Sequence, residues 1–304
     1  MRETEFLDEL IHNLSCLRTW KQGGFRAPHK PLLLLYALGQ LCEDMPVRLV
    51  PFSQVESPLR GLLMDFGPPR KSFHPEYPFY RLTNDGIWEL HGAEKARRRK
   101  SSSDYRKSEL LKYNVKGGFT KKIYDQLSKD DALFRQAVRL LLDRNFPTSI
   151  HGDILQAVGI DPAIITREVA TRRDPEFRER VLHAYEYQCA ICGFNFIIGD
   201  APAALEAAHI KWHQAGGPDT EDNGLALCSL HHKLFDRGAF SIDRGRTILV
   251  SQGAHGTCGF EEWLLQFHGK KIRSPQASVY FPKQNHTQWH MREVFQSVSR
   301  EFKY

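Results

Sequence analysis

Four residues in the second half of the chain have the types and spacing to hold a metal ion. Cys189-Ala-Ile-Cys192 is a C-x2-C pair, the tight-turn spacing at which two thiolates reach one tetrahedral zinc. Cys228-Ser-Leu-His231 repeats that internal spacing and completes a Cys3His set. The set predicts a structural Zn2+. A redox C-x-x-C, or two buried thiols, is the bland alternative for the first pair, and the matching second pair argues against it. Cys16, Cys42 and Cys258 lack such spacing and are expected to be core or inert residues, with Cys258 at most a spare ligand.

Between the two pairs lie Glu206-Ala-Ala-His209-Ile-Lys211, a Gly216-Gly217-Pro218 turn, and Asp222-Asn223-Gly224. His232-Lys-Leu-Phe-Asp236-Arg-Gly238 follows the second pair. Hydrolysis at neutral pH needs an activated water and a group placed to take its proton. A histidine near a strand end, titrating close to neutral pH, is suited to take the proton from that water. His209 is the candidate.

The order His209, Asn223, His232 within the frame of the two metal pairs resembles the HNH nucleases, whose site is a ββα-metal fold. Over about residues 180–245 the wording AAHI, DNGLALC and HHKLFDRG is similar to McrA-like restriction endonucleases. The resemblance implies that Asn223 fixes the loop and orients the His209 imidazole. It implies too that His232 holds a catalytic divalent metal, such as Mg2+ or Mn2+, at the leaving oxygen. Adjacent helix residues point about 100° apart, so His231 and His232 should not share one ion. The C-x2-H spacing gives His231 to zinc, and the swapped assignment stays open. One departure stands out: many HNH sites carry Asp or His just before the general base, and this chain has Ala208. Metal binding then rests on His232 with help from the DNA phosphate, water, Glu206 or Asp236. For Asp236 the first expectation is a salt bridge or cap with Arg237.

The front half contains Arg26-Ala-Pro-His29-Lys30-Pro-Leu and Phe73-His74-Pro-Glu-Tyr77-Pro78-Phe79-Tyr80-Arg81. These stretches resemble the sulfur-binding domain that precedes some McrA-like nucleases, over roughly residues 1–160. The resemblance implies a reader of phosphorothioate-modified double-stranded DNA. Sulfur in place of a non-bridging oxygen is larger and more weakly hydrogen-bonded, so its reader needs an apolar dimple beside groups that neutralise phosphate. Tyr77 and Pro78 are candidate walls, because a ring edge and a pyrrolidine cost little to desolvate. His29, Lys30 and Arg81 are candidates for the charged remainder, and Arg26 for a neighbouring phosphate or base edge. The bland readings are a Tyr-Pro turn and a helix cap at His29-Lys30.

Positioning these residues takes two domains, with the boundary expected near Asp161-Pro162. Residues 1–162 form the sulfur-binding domain and 163–304 the HNH endonuclease domain. The fold class is α+β: a mainly helical front domain with a small hairpin, then a ββα-metal domain with a zinc knuckle. Helical spacing covers Glu5–Trp20, Pro31–Leu41, Lys121–Asn145, Asp153–Val158 and Asp174–Tyr187. Pro31 sits where it can open its helix from the first turn. Prolines and glycines across 46–75 predict loops and short strands. Phe79–Leu90 reads as a β-hairpin turning at Asn84-Asp85-Gly86. Gly259–Phe267 and Gln288–Phe302 read as helices packed on the nuclease through Trp263, Phe267, Trp289, Val294 and Phe295. His286 and His290 there are expected to be structural.

The net charge is +6, and the basic excess concentrates in Lys95–Lys122. Eleven basic residues there face only Asp104 and Glu109. A cluster such as Lys95, Arg97, Arg98, Arg99, Lys100, Arg106 and Lys107 suits a phosphate backbone, where each contact releases counterions. A solvated surface explains it equally. The absence of a long apolar run or signal-like start leads to the expectation of a cytoplasmic protein with reduced thiols. The resulting expectation is a type IV-like endonuclease that binds phosphorothioate DNA and cuts through the HNH site, as a homodimer or by two successive nicks. Two alternatives remain: an HNH enzyme reading methylated or hydroxymethylated bases, and a non-catalytic zinc-stapled DNA-binding module.

Overall fold

The computed structural model describes residues 3–18, 26–99, 104–166, 175–199 and 201–301. The described residues separate into two compact units, one up to residue 166 and the other from 175 onward, with Arg26 grouped in the second. Ala163–Thr166 packs with the first unit.

The first unit opens with α1 (Glu3–Ser15) and α2 (His29–Gly39). Leu32 to Leu35 and Leu38 are almost wholly buried, which makes α2 the centre of this core. Pro31 lies in the first turn, where its missing N–H leaves no helix bond unmade. The strand β1 (Val50–Pro51) leads into α3 (Phe52–Phe66), a helix where loops were expected. Phe52, Val55, Leu59, Leu62, Leu63 and Phe66 are buried on one face at helical spacing, and this burial outweighs the break that Pro58 brings.

Next come α4 (Glu76–Arg81), a 3-10 turn Leu82–Asp85, and β2 (Trp88–His91). The hairpin expected over Phe79–Leu90 is therefore not formed. Phe79, Tyr80 and Leu82 are buried as helical neighbours, and Gly86 reverses the chain with φ +73° before β2. The sheet is instead three-stranded, β1-β3-β2, antiparallel throughout, with β3 (Lys116–Phe119) arriving after α5 (Lys107–Lys112). The stretch expected as one helix over Lys121–Asn145 divides into α6 (Lys121–Leu127) and α7 (Asp131–Asn145). Asp130 makes the division, its carboxylate accepting from the Ala132 and Leu133 N–H groups as an N-cap. The helices α8 (His151–Ala157) and α9 (Ala163–Thr166) close the unit.

The second unit starts with α10 (Pro175–Ala184). A ribbon of β4 (Phe196–Ile198) and β5 (Ala201–Ala203) follows, then β6 (Leu205–His209), β7 (Gly224–Cys228) and α11 (Ser229–Asp236). The pair β6–β7 is antiparallel, with His209 opposite Gly224 and Leu205 opposite Cys228. This register puts one end of the hairpin at the histidine and the other at a metal-type cysteine. Val181, Leu182, Leu225, Leu227 and Phe235 form the core beneath it. The remainder is β8 (Phe240–Ile242), β9 (Ile248–Val250), α12 (Phe260–Trp263) and α13 (Gln284–Glu293). The last helix begins and ends earlier than its periodicity suggested. Trp289, Val294 and Phe295 are buried as expected, whereas the Trp263 side chain is exposed. His290 is structural: its ring stacks on Phe235 and bonds Ser241 Oγ and the Phe235 carbonyl. Cys16, Cys42 and Cys258 are exposed rather than core residues. Among the described residues, no helix is long and apolar enough to cross a membrane.

Candidate functional site

Cys189, Cys192, Cys228 and His231 converge, their ligand atoms all within 4.8 Å of one another. The knuckle is anchored to the strand behind it by the Ala190 N–H, which donates to the Ala226 carbonyl at 2.7 Å. His231 turns Nδ1 toward the sulfurs, 3.1 Å from Cys228 and 3.7 Å from Cys189, while Nε2 is 2.8 Å from the Trp263 carbonyl. A carbonyl on the far nitrogen fixes the tautomer that leaves Nδ1 for a metal. Hydrogen bonds from Cys192 and Cys228 hold the Cys189 thiol well below the usual thiol range. Three sulfurs and one imidazole nitrogen in this arrangement fit a metal ion, and His231 rather than His232 belongs to the set.

His232, one residue on, faces a different chemistry. Its Nδ1 lies 2.5 Å from Glu206 Oε2 on β6, and its Nε2 lies 3.1 Å from Asp236 Oδ2 one turn along α11. Burial alone would lower its pKa, but the Asp236 charge and bonds to both carboxylates raise it to about 9. Ser229 Oγ donates to the other Glu206 oxygen at 2.7 Å. Asp236 also accepts from the Trp212 indole N–H at 3.0 Å, so its carboxylate bridges Trp212 and His232, two partners the sequence did not suggest together. Carboxylate oxygen plus imidazole suits a hard divalent ion, and a second carboxylate on the far ring nitrogen is the usual orienting partner. Glu206 and Asp236, the two carboxylates considered as helpers in the absence of an acid at Ala208, are thus both next to His232.

His209 ends β6. Its ring stacks on Phe177 with centroids 4.1 Å apart, and Nε2 lies 2.7 Å from Asp219 Oδ1. Burial sets its pKa below the ordinary value; the Asp219 bond and charge oppose that, and the His213 charge adds to it. The charge of Asp236, which bonds His232, also favours the protonated form of His209. Asn223 is fully buried and clamps the intervening loop. Its side-chain oxygen accepts from the Lys211 N–H at 2.8 Å, and its nitrogen donates to the carbonyls of Lys211 and Pro218 at 3.0 and 2.9 Å. Asp219 was missed in the sequence because it lies in a polar turn where an acid looks like solvated loop.

In the first unit, Tyr77 is half-buried, with His74 stacked on it at 4.8 Å and the Arg81 and Arg99 guanidiniums 4.8 and 5.4 Å from the ring centre. Arg81 is also paired with Asp104, and Pro78 is buried beneath the helix start. Burial, with the charges of Arg70, His74 and Arg81, lowers the pKa of His29 to about 4. His29 is therefore neutral at physiological pH, and the positive charge beside it comes from Arg70 and Arg81. Arg70, His74 and Arg99 were not among the site residues chosen from sequence, although Arg99 belongs to the basic run. Arg98 of that run sits between Tyr80 and Tyr105, Lys107 pairs with Glu56, and Lys100 lies outside the described residues. Arg26 is grouped with the second unit, its guanidinium over Trp212 at 3.9 Å and donating to the Glu293 carbonyl.

Lys30 plays a different part from the one expected. Its ammonium is buried, 2.5 Å from Asp85 Oδ2 and 2.8 Å from the Arg18 carbonyl. Removing one partner of a buried pair strands the other charge, at a cost of about 3–5 kcal/mol. Lys30→Ala is expected to lower stability by about that amount in urea denaturation. The salt dependence of DNA binding by the folded variant should stay at the wild-type slope.

A family model described as "ScoMcrA-like, DNA sulfur-binding domain" matches residues 7–163, more than half of the chain. The chain belongs to that family. A second model, described as HNH endonuclease, matches residues 189–243, from the first metal-type cysteine through α11 and β8. The sulfur-binding domain is thus followed by an HNH endonuclease domain, and the protein is a DNA endonuclease. Among solved structures, the chain is similar to the sulfur-binding domain of ScoMcrA complexed with phosphorothioated DNA. That likeness has 21% identity and TM-score 0.45, over 51% of this chain and 98% of that one. The Type IV phosphorothioation-dependent restriction endonuclease ScoMcrA is similar at 22% identity and TM-score 0.41, over 58% of this chain and 38% of that longer one. The sulfur-binding domain of SprMcrA complexed with phosphorothioated DNA matches at 19% identity and TM-score 0.43, over 53% and 98%. Among curated proteins none matches.

Proposed function

We propose that this protein is a modification-dependent restriction endonuclease that reads phosphorothioate in double-stranded DNA and hydrolyses phosphodiester bonds. The observation that carries the reading is a single chain in which a sulfur-binding family match precedes His209, Asn223 and His232 gathered on one β-β-α frame. Residues up to about 162 read the DNA and those beyond cut it. His209 accepts the proton of the attacking water, and Asn223 holds the loop that presents it. Glu206 and His232 would hold a divalent ion such as Mg2+ or Mn2+, with Asp236 orienting the imidazole. When bound, that ion supplies charge neutralisation at the phosphoryl and leaving oxygens. The Cys189, Cys192, Cys228 and His231 set would hold structural Zn2+. Two copies acting together, or one copy acting twice, complete a double-strand break.

The test is cleavage of two otherwise identical duplexes, one with a phosphorothioate linkage and one without. Cutting of the modified duplex alone supports the reading. Equal cutting of both, or cutting only of base-methylated DNA, overturns it. On the reading side, the Tyr77 ring offers the sulfur an apolar contact, and Arg81 and Arg99 supply charge beside it. Tyr77→Ser is expected to erase the preference for the modified duplex, about 1–3 kcal/mol for one readout contact. Non-specific affinity should change little, because it comes from the basic residues. Fluorescence anisotropy on both phosphorothioate stereoisomers and the plain duplex checks this, with one stereoisomer preferred by the wild type.

A further inference from the structure

The turn opposite His209 is held in place more firmly than a surface loop requires. Gly217 has no room for a side chain: a Cβ there would lie 1.8 Å from the Lys211 carbonyl oxygen and 2.9 Å from Asn223 Nδ2. Asn223 grips the carbonyl of Pro218, the residue just before Asp219. From the other side Arg180 on α10 donates to the Asp219 carbonyl at 2.8 Å, and its Nε lies 3.2 Å from Glu221. Three anchors therefore surround one residue whose carboxylate meets His209 Nε2 at 2.7 Å, while Phe177 fixes the plane of the ring.

From this convergence we infer that Asp219 is the positioning residue of the cleavage reaction: it holds His209 in the Nε2–H tautomer and leaves the Nδ1 lone pair to take the proton from water. The inference rests on the reading of His209 as the general base. As the water oxygen bonds to phosphorus, its proton passes to Nδ1, the P–O3′ bond breaks, and the 3′ oxygen takes a proton from solvent. A carboxylate that accepts from one ring nitrogen fixes which nitrogen is basic and stabilises the imidazolium that forms. Asn223 then acts on catalysis at second hand, by holding the turn that delivers Asp219.

The groups whose charges reach His209 are Asp219, His213 and Asp236. Of these, Asp219 bonds the ring, and its loss removes a contact that favours the protonated form. Asp219→Asn is therefore expected to lower kcat about 10²–10⁴-fold on a phosphorothioate duplex. KM should stay within about threefold, and the acid limb of the kcat profile should move to lower pH, a shift that weakened substrate binding alone does not produce. Asp219→Glu should recover part of the rate. Side-chain 15N NMR of the wild-type protein at neutral pH gives a readout independent of any variant's folding, with His209 protonated at Nε2. A His209 protonated at Nδ1, or an Asp219→Asn enzyme within threefold of wild-type kcat with an unmoved acid limb, overturns the inference. His209→Ala separates the two claims. Inactive His209→Ala with fully active Asp219→Asn removes only the role of Asp219, whereas active His209→Ala removes the general base as well.

Discussion

His209→Ala is expected to abolish cleavage while leaving DNA binding near the wild-type level. The ring ends β6 opposite Gly224, stacked on Phe177 and bonded to Asp219, so its truncation removes a proton acceptor without opening the core below. Loss of a general base costs about 10²–10⁴ in rate. Single-turnover cleavage and anisotropy on the same modified duplex separate the two effects. Cleavage within threefold of wild type would assign proton transfer to another group. The pH dependence has a definite sign. His209 must be neutral to accept a proton, and burial, ahead of the opposing Asp219 bond, keeps its pKa below the ordinary value of 6.5. The acid limb of the rate profile is therefore expected below pH 6.5. A limb at or above that value would show that a different group titrates.

The second large effect concerns the knuckle. Cys192→Ser or Cys228→Ser should release zinc and unfold the second unit, since structural zinc contributes about 10–16 kcal/mol of binding free energy in small domains. Cys228 is the last residue of β7, and the helix bearing His231 and His232 starts at the next residue, so loss of the metal frees the frame of the cleavage site. His232→Ala is expected to keep zinc and fold but lose activity. Elemental analysis together with circular dichroism decides this. Zinc lost in His232→Ala and retained in His231→Ala would reverse the two roles.

Much of the second unit was legible because its chemistry is written in short covalent spacings. A C-x2-C and a C-x2-H can close on one ion whatever lies between them, and the adjacent histidines had to diverge on a helix. Asp219 was not legible: it reaches His209 across a ten-residue turn, and nothing in Pro-Asp-Thr-Glu-Asp distinguishes the acid that points inward. In the first unit, α3 was obscured by Pro51, Pro58 and Gly61, although its buried residues keep helical spacing. Phe79–Leu90 suited a strand as well as a helix until Tyr80 and Leu82 were buried together. Lys30 looked like a phosphate ligand because a lysine beside a helix start usually faces solvent. Its buried partner, Asp85, is 55 residues away in the sequence.

Asp236 has one carboxylate and two obligations. One oxygen receives the indole of Trp212, three residues beyond His209, and the other meets the imidazole of His232. It works as a gauge block between the segment that follows β6 and α11, setting their spacing inside the protein. On the proposed reading, a phosphodiester has to fit that spacing rather than create it. On that same reading, substrate binding is left with the simpler task of delivering the backbone to a spacing already set, and the choice of target falls to the sulfur-binding domain in the same chain.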